Sequence, residues 1–225
     1  MPPRIPSLLL RLLRRNGSAR ADAVPNSHEG ERRAHSIASN SGQANVEPLR
    51  NEAVAPADCI VTSSIDDIIR VEEVADAEFF VGDLFRRRFG ADPPNYPRSF
   101  VAFYRPRRWT LEVVGFVHYL AFEDSYLCGG LVIDERRYRQ MHSEHRRVIK
   151  AAGGIAEKML RVTFARLRDS PAIWGYVGDA LAEKVDLRVG FRHTEDRHIM
   201  VCWNKELSPE EKAQRLARVA ALGPF

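Results

Sequence analysis

Residues 126–133 read Tyr126-Leu127-Cys128-Gly129-Gly130-Leu131-Val132-Ile133, and residues 153–160 read Gly153-Gly154-Ile155-Ala156-Glu157-Lys158-Met159-Leu160. The first is an apolar, strand-like run interrupted by adjacent glycines. Inside a strand such a pair marks a bulge or a close approach to the backbone. The second places two glycines before Ile155, Met159 and Leu160, which recur at helical spacing. Free N–H groups at a helix start form a ready anion site, and glycine lets a ligand come close to them. Taken alone, the Gly-Gly pair also fits an ordinary helix start or kink.

Working outward, 126–133 is the last of three strand-like runs, after 99–104 and 111–122. Arg105-Pro106-Arg107-Arg108 separates the first two and Glu123-Asp124-Ser125 the second two, both short enough for antiparallel hairpins. Asp92-Pro93-Pro94-Asn95-Tyr96-Pro97 is too rich in proline for a helix or central strand. Before it, Ile68, Ile69, Val74, Phe79, Phe80, Leu84, Phe85 and Phe89 predict one or two amphipathic helices over 66–90, ending on Arg86, Arg87, Arg88 and Gly90. From Ser143 onward, Val148, Ile149, Ala152, Ile155, Met159, Leu160, Val162, Phe164 and Leu167 predict helix, with Gly153-Gly154 embedded in it. Asp169-Ser170-Pro171 breaks the chain, 172–177 reads as a strand, 180–189 as a helix stopped by Gly190, and 198–203 as a final strand. Ser208-Pro209-Glu210-Glu211 starts a closing helix, 209–221, with Ser as the cap and Pro in the first turn. The expected fold is α/β in the α+β sense, with a mixed, mainly antiparallel central sheet flanked by helices.

At 225 residues, 44% apolar and 28% charged, the chain has the composition of an ordinary soluble globular protein. It is long enough to bury a core without a disulfide or metal. No run approaches the roughly 18 apolar residues of a membrane span, so no membrane partner is expected. The net charge of +4 is unevenly spread: residues 1–57 carry eight Arg, no Lys and five acids. The remainder is nearly neutral and offers no broad field for nucleic acid, leaving that reading to the Arg-bearing tail alone. Residues 1–57 are expected to be a disordered or targeting extension, with a domain over 58–225. Cys59, Cys128 and Cys202 form no C-x-x-C pair, which fits a reducing compartment and a cytoplasmic location. His142-x-x-His145, His193 and His198 lack Cys or carboxylate partners in register, so no metal is expected.

The order helix, three antiparallel strands, glycine-bearing helix, strand, helix ending in Gly190-Phe191, strand resembles the GNAT superfamily of acyl-CoA-dependent N-acyltransferases. Three pieces over residues 60–205 carry the resemblance. Val132-Ile133-Asp134 stands for the family's Val-x-Pro-like strand end. Gly154-Ile155-Ala156 matches the end of Gln/Arg-x-x-Gly-x-Gly/Ala. Residues 178–191 look like Asn-x-x-Ala-x-x-Leu-Tyr-x-x-x-Gly-Phe. The resemblance implies acetyl-CoA, or another acyl-CoA, as cosubstrate and a small-molecule or peptide amine as acceptor, with a homodimer left open. It implies cofactor contacts at Leu131, Val132 and Ile133, and at Lys150, Gly153, Gly154, Ile155 and Ala156, where the pyrophosphate meets the helix amides. Two departures stand out. Ala151 occupies the Gln/Arg position, and the connection from Asp134 to Gly154 is lengthened and holds Arg136, Arg137, Arg139, Arg146 and Arg147. These arginines suit either a phosphate clamp or a solvated helix face.

Acyl transfer to an amine needs a neutral nucleophile, a stabilised oxyanion and a protonated thiolate. In the family the acyl arm runs along the fourth strand, whose bulge aims a backbone N–H at the thioester oxygen. Gly129-Gly130 fits that bulge. The resemblance implies Glu123 as the group draining the amine proton, with Tyr126, His118 and Tyr119 as further candidates. Asp186 stands where the family carries its acid Tyr. An ionised Asp cannot protonate a thiolate, so Tyr176 is expected to substitute, unless positioning alone supplies the acceleration. The alternative is a catalytically silent GNAT-fold module that binds an acyl-CoA or a protein partner.

Overall fold

The computed structural model describes residues 64–225, so the expectations for the extension 1–57 lie outside the described residues. The chain runs α1 (Ile65–Ile68), β1 (Ile69–Val74), α2 (Ala77–Phe89), β2 (Arg98–Arg107), β3 (Thr110–Phe122), β4 (Ser125–Ile133), α3 (Glu135–Gln140) and α4 (Ser143–Ala151). It continues through α5 (Ile155–Arg166), β5 (Ala172–Tyr176), α6 (Ala180–Val189), β6 (Arg192–His193), β7 (Ile199–Trp203) and α7 (Pro209–Ala220). The seven strands form one sheet in the order β1-β2-β3-β4-β5-β7-β6. Every neighbouring pair is antiparallel except β4 and β5. This is the mixed, mainly antiparallel sheet expected from the sequence.

Two expectations are corrected. Residues 66–90 are not helical throughout, because Ile69–Val74 is β1. Ile69 and Val71 are buried and Arg70 is exposed, a period of two. The strand pairs with β2 from Ile69 opposite Tyr104 to Val74 opposite Ser99. β-Branched side chains suit that pleated edge, and pairing outweighs the weak helical spacing. The helix expected from Ser143 is two helices, α4 and α5. Gly153 and Gly154 sit at φ 94° and 96°, a region that ends one helix before the next begins.

Two apolar layers sandwich the sheet. On one face α1, α4, α5 and α6 cover Phe100, Val117, Tyr119 and Ile173, with Ile68, Ile149, Met159 and Leu160 between. On the other, α2 lays Val81, Leu84 and Phe85 over Val101, Phe103 and Phe116. Beside it on that face, α7 and the C-terminus bring Val219 and Phe225 onto Leu127, Trp174 and Val201. Each fully buried large apolar side chain contributes about 1.5–3 kcal/mol. Caps fix the helix ends. Asp76 starts α2 and Gly90, in the left-handed region, ends it. Ser208 and Glu211 form a capping box on α7.

Candidate active site

The centre of the sheet carries a local defect. β3 and β4 pair Val117 with Leu131 but Tyr119 with Cys128, so His118 faces two residues, Gly129 and Gly130. Gly130 has φ 131°, a value open chiefly to glycine. The bulge expected at the glycine pair is therefore present. On its other side β4 runs parallel to β5 only where Tyr126, Leu127 and Cys128 meet Ile173, Trp174 and Gly175. β5 ends at Tyr176 while β4 continues to Ile133. The two strands part at the bulge and leave one edge of residues 129–133 without a partner strand among the described residues. An unpaired strand edge offers N–H and C=O groups to any extended, amide-bearing ligand. Leu131 and Ile133 project toward α5, whereas Val132 belongs to the opposite, α2 side.

α5 packs against β4 and begins at Gly154 with no side-chain cap. Its first-turn amides have no intrahelical partner. A Cβ on Gly154 would touch nothing within 4 Å, so the approach to those amides is open. A groove of about 390 Å³, lined by Ser64, Ile65, Arg147, Val148, Ala151 and Ala152, lies alongside. Lys150 is exposed in the last turn of α4. Two arginines of the lengthened connection pair locally, Arg139 with Glu135 and Arg147 with Glu144, and Arg137 reaches Glu112 of β3 at 3.8 Å. The guanidiniums beside Gly153 are instead those of Arg161 and Arg188. Each lies 2.7 Å from the carboxylate of Glu157, which folds back over Gly153. Both arginines hold the Glu157 carboxyl below its ordinary range, Arg188 most strongly.

At the fork itself, burial pushes the Cys128 thiol up to about 12, so it is a neutral wall and not a nucleophile. Tyr119, fully buried, shares a 2.6 Å hydrogen bond with Thr163 Oγ1. α6 presents Asp186 to both, and its charge acts on each. The carboxyl of Asp186 makes no hydrogen bond or ion pair among the described residues. Burial first, then the neighbouring Asp179 and Glu183, push it up to about 7. This corrects the premise that Asp186 is simply ionised: near neutral pH it carries a proton about half the time.

Of the acid–base candidates named from sequence, Glu123, Tyr126 and Tyr176 are not brought together. Glu123 sits in the β3–β4 turn at φ 54°, bound to Arg218 of α7 at 3.0 Å. Asp124 and four residues of β4, the latter spanning roughly 13 Å, separate it from Gly129. Tyr126 projects on the α5 side and accepts a 3.2 Å hydrogen bond from Arg98. Tyr176 lies on the opposite face, stacked at 5.4 Å on His198 and packed against Phe225. His145 Nδ1 is 2.9 Å from the Tyr104 hydroxyl, and among the described residues no cluster of His, Cys, Asp and Glu is arranged to hold a metal. Nor is any described helix long and apolar enough to cross a membrane.

The bulge in β4 and the glycine start of α5 fall where the sequence led them to be expected, whereas the parting of the parallel β5 from β4 was not anticipated. The fold is a mixed α/β one, a mainly antiparallel seven-stranded sheet flanked by helices. No family model matches the chain, and no curated protein matches it. Among solved structures it is similar to the ribosomal-protein-S18-alanine N-acetyltransferase from Escherichia coli, at 12% identity and TM-score 0.41, over 63% of this chain and 97% of that one. It is also similar to an acetyltransferase of the GNAT family from Staphylococcus aureus Mu50, at 12% identity and TM-score 0.37, over 61% and 99%. A third similarity is to the catalytic domain of Tetrahymena GCN5 histone acetyltransferase in complex with coenzyme A, at 10% identity and TM-score 0.35, over 63% and 96%.

Proposed function

We propose that this chain is an acyl-CoA-dependent N-acyltransferase, moving an acetyl or other acyl group from coenzyme A to an amine on a small molecule or peptide. The observation that carries the reading is the fork. β4 and β5 part at the Gly129-Gly130 bulge, and α5, which packs against β4, starts at an uncapped glycine. The free edge of residues 129–133 suits the amides of a pantetheine arm, and Leu131 and Ile133 give it an apolar floor. The amides after Gly154 suit a pyrophosphate. Arg161 and Arg188, already assembled by Glu157, supply positive charge there, with Lys150 at the rim.

The amine nitrogen attacks the thioester carbon, and negative charge develops on the carbonyl oxygen. A backbone N–H of the bulge stabilises it without reorganisation. The C–S bond then breaks, the thiolate takes a proton, and the attacking nitrogen, which becomes the amide, gives one up to solvent, so no net proton is consumed. Asp186 is the group that protonates the thiolate, since it faces the fork and holds a proton near neutral pH. With a proton donor at that position, Tyr176 is not required as a substitute. Calorimetry with acetyl-CoA and desulfo-CoA, followed by a thiol-release screen across primary amines, tests the reading. Saturable binding of both, with amine-dependent thiol release, is expected; no binding by either at millimolar concentration overturns it. Tight binding with no thiol release from any amine would assign the chain to the silent, acyl-CoA-sensing alternative.

A further inference from the structure

The face of the sheet covered by α2 holds a second feature, which the acyl-CoA side does not use. His118, on β3, is fully buried among Phe85, Phe116 and Tyr96. Its Nδ1 meets Ser99 Oγ at 2.9 Å. Its Nε2 is buried and has no partner among the described residues. Buried polar atoms are nearly always hydrogen-bonded, so this one calls for an explanation. Arg146 Nε is the other such atom among the described residues. A guanidinium retains four further N–H donors, whereas the imidazole has no third nitrogen.

Placement points to a ligand. His118 stands opposite Gly129 and Gly130, so the bulge that opens the acyl-CoA side also adjoins this imidazole. The surrounding cluster is apolar apart from Ser99, which is already engaged, and the Tyr96 hydroxyl. Tyr96 forms a cover. Its ring lies flat on the imidazole, with centroids 4.2 Å apart at an interplanar angle of 7°. It also reaches over Gly129, where an added Cβ would stand 3.1 Å from Tyr96 Cε1. Tyr96 comes from the proline-rich loop between α2 and β2, outside any helix or strand, so the cover can move without breaking a ladder.

We propose that Nε2 of His118 is the hydrogen-bonding contact of the acceptor amine, which enters on the α2 side under Tyr96 and meets the acyl group across the bulge. This rests on the acyltransferase reading. With Nδ1–H donating to Ser99 Oγ, Nε2 presents a lone pair. A neutral primary amine donates one N–H to it and keeps its own lone pair for the thioester carbon. Burial holds the imidazole neutral, pushing it down to about 3, so the contact favours the uncharged amine that the chemistry needs.

The test follows the His118 imidazole nitrogens by NMR in the labelled full-length protein, while benzylamine or alaninamide is added at about pH 9, where an α-amine is mostly neutral. The Nε2 resonance is expected to shift and saturate with at least one of them. In turnover, His118→Asn keeps a partner for Ser99 but lacks the outer nitrogen, and is expected to lose about tenfold or more in kcat/KM for the amine. Its acetyl-CoA affinity stays within about twofold of wild type. His118→Gln places an amide near the Nε2 position and restores most of the loss. An unmoved Nε2 resonance with both amines, or equal turnover by the Asn and Gln variants, overturns the proposal. Should the Asn variant not fold, Tyr96→Ala decides: it is expected to lower KM for bulky amines, and an unchanged KM overturns the cover. Absence of acetyl-CoA binding by wild type sinks the acyltransferase reading instead, and the amine titration then judges His118 independently.

Discussion

Replacing Asp186 by Asn should stabilise the protein while slowing it. The carboxyl sits at about 7 against an ordinary 3.8 because burial disfavours its charge. Fully expressed, that gap corresponds to about 4 kcal/mol. The group is only partly buried, so screening by solvent leaves roughly half, about 2 kcal/mol. Below about pH 4 the folded and unfolded chains both hold the proton, and the contribution is fully present. As pH rises toward 7 the unfolded chain has released it and the native one has not, so wild type loses stability until the folded group ionises as well. Asn carries no charge at any pH and forfeits no side-chain hydrogen bond, since the Asp186 carboxyl makes none among the described residues. Thermal unfolding of both proteins from pH 4 to 9 should therefore give superimposable stabilities at the acid end. Near pH 8 the variant should melt about 4–8 °C higher. Over the same range kcat of the variant should fall by roughly tenfold or more, and the wild-type decline in kcat above about pH 7 should vanish. Parallel stability curves, or an unaltered kcat, would refute the assignment of a protonated Asp186 at the fork.

Gly154→Val puts a β-branched side chain at φ 96°, costing about 1–3 kcal/mol in backbone strain and screening the first amides of α5. Calorimetry should show acetyl-CoA affinity down by about tenfold or more, with the circular dichroism spectrum kept. Glu157→Gln removes the shared partner of Arg161 and Arg188 and should cost about 1–2 kcal/mol at neutral pH by urea unfolding. Because the folded carboxyl lies below its ordinary range, that difference should fade as pH falls through the folded value. Glu123→Gln touches only the turn and Arg218, so thiol release should stay within about twofold and stability within about 1 kcal/mol.

Elements marked by local chemistry were legible in the sequence. α6 and α7 fall where Gly190 and the Ser208-Pro209 start place them, and the three-strand meander follows its hairpin connections. β1 was not legible, because Arg70, Glu72 and Glu73 mask a six-residue strand whose case rests on pairing with β2. The break between α4 and α5 is written in Gly153-Gly154, but apolar spacing continues across it. Within the site, glycines report backbone geometry directly, so the bulge and the uncapped helix could be read. Charge states could not. Asp186 takes its proton affinity from burial against groups far away in sequence, and Glu123 is claimed by an arginine 95 residues downstream.

The bulge explains how one strand serves both faces of the sheet. Side chains on a strand alternate, so residues an odd number apart should point to opposite sides. Cys128 and Leu131 are three apart, yet both belong to the α5 side. The residue inserted at Gly129-Gly130 resets the alternation, returning Leu131 and Ile133 to the α5 side and Val132 to the α2 side. Were the same residues to run as a regular strand, Val132 alone would line the open edge of β4, and Leu131 and Ile133 would crowd the layer under Phe85 and Phe116. The same inserted residue breaks the ladder opposite His118 and coincides with the end of pairing to β5. Glycine is required there for two reasons that act together. Gly130 adopts φ 131°, and Gly129 lies under Leu120 and Tyr96, where an added Cβ would approach to 2.8 and 3.1 Å. A side chain at Gly129 would displace the Tyr96 cover, and one at Gly130 would strain the bulge. The thin point between the acyl side and the amine side is thus kept at backbone thickness by residues that have no side chain.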